Sequence, residues 1–178
     1  TLVFATDKES YLGGDKKLID FARNCNVLIH DAQYTTEDYQ DVYHSKQGYG
    51  HSTFEMAKEV VTKWISDFPD RPAPVIVNIS DGIPYYNGQN VDLCMKETIQ
   101  VVERIKSVVT QDGNIQIFNA MIGDGPKVKF PTSKKSVSQE ADFLFEISTE
   151  IPDAYRPAAA KKGLDIPEGA RGCICQCD

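Results

Sequence analysis

Four places in this chain set an oxygen-bearing side chain at the edge of an apolar run. Asp7 follows Leu2-Val3-Phe4-Ala5, Asp31 follows Val27-Leu28-Ile29-His30, Ser52 or Thr53 precedes an apolar helical stripe, and Asp81 follows Val75-Ile76-Val77-Asn78-Ile79. Carboxylates and hydroxyls brought together in this way suit a hard divalent cation such as Mg²⁺, which prefers oxygen ligands. The same residue types have ordinary uses. An Asp before Gly, as in Asp81-Gly82, is a turn former, and a Ser or Thr ahead of a helix is an N-cap. Two other groups invite chemistry. Cys173, Cys175 and Cys177 alternate, so on a strand they share one face; a soft-metal or redox tail and a strand burying small side chains both fit, and the second is favoured because no second ligand pair has zinc-like spacing. Lys127, Lys129, Lys134 and Lys135 form a basic patch near Phe130-Pro131 that reads as a solvated loop.

The elements that must position these residues alternate in type. Leu2 to Ala5 is a short buried strand, Lys17 to Arg23 carries Leu18, Ile19, Phe21 and Ala22 at helical spacing, and Val27 to His30 is a second strand. Gln33 to Gly50 is polar and tyrosine-rich and predicts a long loop with room for one helical turn. From Ser52 or Thr53 a helix follows, with Phe54, Ala57, Val60, Val61 and Trp64 as its stripe and Pro69 and Pro72 to Pro74 ending it. Val75 to Ile79 has the composition of a strand buried on both faces of a parallel sheet. Val91 to Thr110 is an amphipathic helix, Ile115 to Asn119 a strand, Glu140 to Ser148 a helix and Gly172 to Cys177 a last short strand. Such alternation predicts an α/β fold with a mostly parallel sheet flanked by helices, and ligands of such sheets lie beyond the carboxyl ends of the strands. Tyr34, Tyr39, Tyr43, Tyr49, Tyr85 and Tyr86 crowd the rim of that region.

At 178 residues the chain has room for one ordinary α/β unit, and 41% apolar with 25% charged residues is a globular balance. A net charge of −7 offers no basic stripe for phosphates, so nucleic acid is not an expected partner. Five cysteines without a framework of spacings point to reduced thiols and a cytoplasmic location. No apolar stretch approaches the ~20 residues of a membrane span. Opening on a strand without Met, the chain reads as a fragment or a processed product.

From Thr53 onward the chain resembles bacterial von Willebrand factor type A domains. The resemblance runs through Trp64, Arg71-Pro72-Ala73-Pro74-Val75-Ile76-Val77-Asn78-Ile79-Ser80-Asp81-Gly82, Thr110 to Asn119, Leu144-Phe145-Glu146-Ile147-Ser148 and Ala170-Arg171-Gly172. It implies a three-layer, Rossmann-like fold and a cation site in which Asp81 is the third-loop aspartate and Thr53, or Ser52, the second-loop hydroxyl. The family's first loop, Asp-x-Ser-x-Ser, is missing. Its stand-in is Asp31-Ala32-Gln33-Tyr34-Thr35, which leaves Asp31 and Thr35 as ligands. The function implied is cation-assisted protein binding, an acidic side chain of the partner completing the coordination of Mg²⁺ or a similar ion.

The first third resembles another family. Thr6-Asp7-Lys8-Glu9, Val27 to Thr35 and Gly48-Tyr49-Gly50-His51-Ser52-Thr53 are similar to the C-terminal half of metallo-β-lactamase-fold hydrolases. That likeness implies Asp7 as a ligand bridging two metal ions, Zn²⁺ or Mn²⁺, and His51 as a proton donor to a leaving group. The histidine-rich shell of such enzymes is missing, since His30, His44 and His51 are the only histidines, so the chain would supply only part of a dinuclear site. The expected organisation is therefore a chimera, residues 1–52 of the hydrolase type and 53–178 of the von Willebrand A type, sharing one globular unit. A structural remnant with no site is the remaining alternative.

Overall fold

The computed structural model describes residues 1–11, 13–80, 82, 91–111, 113–124 and 126–176. In chain order its elements are β1 (Leu2–Ala5), α1 (Lys16–Phe21), β2 (Val27–His30), α2 (Thr36–Gln40), α3 (Phe54–Asp67), β3 (Val75–Ser80), α4 (Val91–Lys106), β4 (Val109–Thr110), β5 (Gly113–Asn114), β6 (Gln116–Met121), β7 (Val128–Lys129), α5 (Gln139–Ile147), α6 (Arg156–Ala160) and β8 (Cys173–Cys175). The fold is α/β, and its largest sheet is mostly parallel. No helix among the described residues is long and apolar enough to cross a membrane.

The chain divides into two compact units, the first made of Thr1–Ala73, Tyr85–Cys94 and Val108–Gly113 and the second of the rest. In the first, β1 and β2 pair in parallel with Leu2 opposite Val27 and Ala5 opposite His30. A parallel pair needs a crossover, and α1 supplies it. Asp15 caps α1 by accepting from the Leu18 N–H at 3.0 Å, and Leu18, Ile19 and Ala22 then share the buried face of this short helix. They pack with Val3 of β1 and Val60 of α3, while Leu28, Trp64 and Phe68 close the margin. Leu2, Phe4 and Val27 on the opposite face of the strand pair are exposed.

The two family resemblances meet at 52/53, and the first compact unit continues unbroken to Ala73. The reason is the stripe of α3. Val60 and Trp64 bury against β1 and α1, so the helix that opens the second resemblance packs with the first segment.

The second unit holds a four-stranded sheet in the order β3-β6-β8-β7. β3, β6 and β8 run parallel and β7 pairs antiparallel with β8. Inward residues of β6 are Ile117, Asn119 and Met121, and α5, whose Ala141, Leu144 and Phe145 are buried, lies against β6 and β8. Asn119 is buried yet fully employed. Its amide donates to Ser148 Oγ at 2.8 Å and to the Leu144 carbonyl at 3.2 Å, and its oxygen accepts from the Asn78 amide at 2.9 Å. β3 differs from expectation: Val75, Val77 and Ile79 are exposed, because strand residues alternate between two faces and only one face of β3 is covered among the described residues. Cys173 and Cys175 are buried on one face of β8, the outcome expected of a strand that buries small side chains; Cys177 lies outside the described residues.

α4 stops at Lys106 rather than continuing to Thr110, and the segment beyond it folds into the β4–β5 pair. Gly113, at φ +124°, makes that reversal possible.

Candidate functional site

In the first unit the carboxyl ends of β1 and β2 lie side by side, because Ala5 is in register with His30. Asp7 stands two residues beyond β1 in the left-handed region, at φ +49°. Asp31 directly follows β2. His51 arrives from the other side, on the segment leading into α3. That segment is pinned to the stretch after β2: the Gln33 and Tyr34 N–H groups donate to the Ser52 carbonyl at 2.9 and 3.2 Å, and the Phe54 N–H donates to the Tyr34 carbonyl at 3.2 Å.

These constraints gather Asp7, Asp31 and His51 so that one ligand atom from each lies within 4.8 Å of the others. His51 Nδ1 is 2.5 Å from Asp31 Oδ2 and 3.9 Å from Asp7 Oδ1. The Tyr34 ring meets the imidazole edge to face, with centroids 5.8 Å apart. Asp31 is 11% exposed, His51 26% and Asp7 90%, so the cluster opens to solvent on the Asp7 side. The hydrogen bond to Asp31 raises the His51 pKa above its ordinary value; partial burial opposes this, and the Asp31 and Asp7 charges reinforce it. Two carboxylates and an imidazole form a mixed oxygen and nitrogen set, the donor type that Zn²⁺ and Mn²⁺ accept more readily than Mg²⁺ does.

Hydroxyls expected as ligands have other employment. Thr35 caps α2, accepting from the Asp38 N–H at 3.1 Å and donating to the Asp38 carboxylate at 3.0 Å. Thr53 is buried and caps α3 by accepting from the Met56 N–H at 3.1 Å. Ser52, wholly buried, donates to the Lys8 carbonyl at 2.6 Å and accepts from the Ser10 N–H at 2.9 Å. Asp81, Tyr85 and Tyr86 lie outside the described residues. Of the other tyrosines, Tyr43 and Tyr49 are exposed, Tyr34 meets His51 as described, and Tyr39 donates its hydroxyl to Glu9.

Two features of this region have no part in the sequence reading. His30 is set inward, its Nε2 2.9 Å from Ser10 Oγ and its buried Nδ1 without a hydrogen-bond partner among the described residues. Burial lowers its pKa. Lys8 places Nζ 2.6 Å from Oδ2 of buried Asp15, a contact of charges without hydrogen-bond alignment. Burial alone would raise the Asp15 pKa, but Lys8 and the Leu18 N–H outweigh it and bring it below the ordinary value.

No protein-family model, curated protein or solved structure matches this chain.

Proposed function

We propose that Asp7, Asp31 and His51 bind one divalent cation, Zn²⁺ or Mn²⁺, and form part of the site of a metal-dependent hydrolase. Their convergence at the carboxyl ends of two parallel strands carries this reading. Such a cation makes a water nucleophilic near neutral pH and polarises the ester or phosphodiester it attacks. With three protein ligands and an open side, this site would draw its remaining ligands from water, substrate or another chain. The mixed donor set supports this reading over Mg²⁺-mediated protein binding. Calorimetric titration of the metal-free protein with Zn²⁺ and with Mn²⁺ tests it. Saturable one-to-one binding that weakens in Asp31→Asn and in Asp7→Asn is expected, together with metal-dependent cleavage of a chromogenic phosphodiester. Identical isotherms for wild type and both variants overturn the reading.

A second reading rests on β3. It is a parallel edge strand that ends at Ser80, immediately before Asp81, which suits a von Willebrand A sheet of three-layer, Rossmann-like form lacking its first strand. In that reading residues 53–178 bind the acidic side chain of a protein partner through a cation held by Asp81, residues 1–52 come from a hydrolase-type ancestor, and the chain works in the cytoplasm. Equal Mg²⁺ affinity in wild type and Asp81→Ala removes it.

A further inference from the structure

Each member of the Asp7, Asp31 and His51 cluster sits on a different segment, and the β1–β2 ladder does not fix all three to one another. Ser52 ties them on the α3 side of His51, and on the other side they are tied by Glu9. Its carboxylate accepts the Gly48 N–H at 2.9 and 3.0 Å and the Tyr39 hydroxyl. Glu9 itself is two residues past Asp7. Tyr39 stands on α2, the helix that follows Asp31, and Gly48 is three residues before His51. One side chain thus joins the three segments that carry the cluster.

The surrounding backbone is built for this junction. Gly48 and Gly50 take φ +81° and +85°, conformations that L side chains rarely adopt; they turn the chain so that the Gly48 N–H faces Glu9 and His51 then faces Asp31. The Tyr39 carbonyl accepts the Lys46 N–H at 3.3 Å and the Ser45 hydroxyl at 3.1 Å, so residues 45–48 fold onto the helix that Glu9 holds. A carboxylate accepting several donors at once suits a latch, because bonds to an ionised acceptor are stronger than neutral ones.

We propose that Glu9 is a positioning residue that latches the Gly48–His51 segment and α2 to the end of β1, holding His51 against Asp31. The positioning of His51 stands on geometry alone, while its consequence for cation affinity rests on the site proposed above. Groups that orient metal ligands commonly change affinity by about 10- to 100-fold when removed.

The test uses the metal-free protein of 178 residues and three variants: Glu9→Ala, Glu9→Gln and Tyr39→Phe. Ring ¹⁵N shifts of His51 report its bond to Asp31, Gly48 amide exchange reports the latch, and Trp64 fluorescence reports the fold. In Glu9→Ala, Gly48 exchange should quicken by at least about tenfold, the cost expected for losing bonds to a charged acceptor. The His51 ring signals should move toward those of unbonded histidine, and Mn²⁺ affinity should fall about tenfold. Glu9→Gln keeps one acceptor oxygen for Gly48 and should rescue most of each effect; Tyr39→Phe should fall between. His51 ring signals that match wild type in folded Glu9→Ala overturn the proposal. If Glu9→Ala does not fold, unchanged His51 and Gly48 signals in Tyr39→Phe overturn it equally. A wild-type protein that binds no Mn²⁺ defeats the cation site, and the His51 and Gly48 signals still decide the latch.

Discussion

Replacing Ser52 by Ala removes one hydroxyl that joins the Lys8 carbonyl and the Ser10 N–H, and both partners lose their bond together. The Ser10 N–H is buried, since Ser10 is 2% exposed and Ser52 wholly enclosed, so water has no ready access to it. An orphaned buried donor costs about 1–3 kcal/mol, and loss of an ordinary bond to the half-buried Lys8 carbonyl about 0.5–1.5 kcal/mol. The expected loss of stability is about 2–4 kcal/mol, a fall in melting temperature of roughly 10–30 °C for a unit of this size. Trp64 is the only tryptophan in the chain and packs on the core of the first unit. Urea unfolding followed by its fluorescence therefore reads the unit in which Ser52 lies. A further consequence is local: the 7–10 segment loses two of its ties to the 48–52 segment, so exchange of the Ser10 amide should quicken even where the fold persists. A loss below about 0.5 kcal/mol, within the range of ordinary surface changes, together with an unchanged Ser10 amide, refutes the inference that these bonds hold the two segments together.

Four other outcomes follow from particular contacts. The raised pKa of His51 means that the stability it gains from Asp31 is fully present below its unfolded value of 6.5 and is lost as pH rises through the raised folded value; in chelator, the stability gap between wild type and Asp31→Asn should be wider at about pH 6 than at about pH 9. His30 has the opposite sign, since burial depresses its pKa; its neutral form is favoured above 6.5, and the wild type should lose stability relative to His30→Gln as pH falls through the depressed value. Gly172→Ala drives a methyl group into the Phe118 ring, an overpacking that should cost about 1–3 kcal/mol in thermal melts followed by circular dichroism; full wild-type stability would show that Phe118 yields freely. Thr53→Ala removes the cap of α3 and should cost about 1 kcal/mol with Thr53→Ser near wild type, whereas unchanged stability with a loss of Mg²⁺ affinity would restore Thr53 as a ligand.

Elements were more legible than their boundaries, and both more legible than the long-range contacts. β1, β2, β3 and β6 show in the sequence as apolar runs, and α3 and α4 as stripes with a period near four, because burial imposes those patterns directly. The Asn119 of β6 gave no such signal. A buried amide matched to Asn78, the Leu144 carbonyl and Ser148 depends on residues 25 to 41 positions away, and only their joint placement makes it favourable. The partner of α3 was hidden for a related reason: a helix stripe records that a face is buried but not which partner buries it, and Val60 and Trp64 pack with β1 and α1.

Asp7 and Asp31 were legible as candidates because an aspartate just past a strand has a known position relative to its neighbour once the strands are parallel. Their meeting with His51 was not, since it depends on the path of residues 33–50, a stretch with little periodicity. Thr35 and Thr53 illustrate the limit in the other direction. A hydroxyl ahead of a helix satisfies a cation or an N–H with the same lone pairs, so sequence alone leaves both roles open, and here the geometry fills them with Asp38 and Met56. Glu9 was less visible still, since its partners are a backbone N–H and a phenol 39 and 30 residues away. Two traces of it exist in retrospect. Gly48 and Gly50 bracket a turn that L residues adopt only with strain, and Glu9 follows Asp7 at a spacing that on an extended chain would turn both side chains to one side. Asp7 at φ +49° breaks that extension, which lets Asp7 face His51 while Glu9 reaches back to Gly48. The left-handed turn at Asp7 is thus the local feature that separates a ligand from its latch.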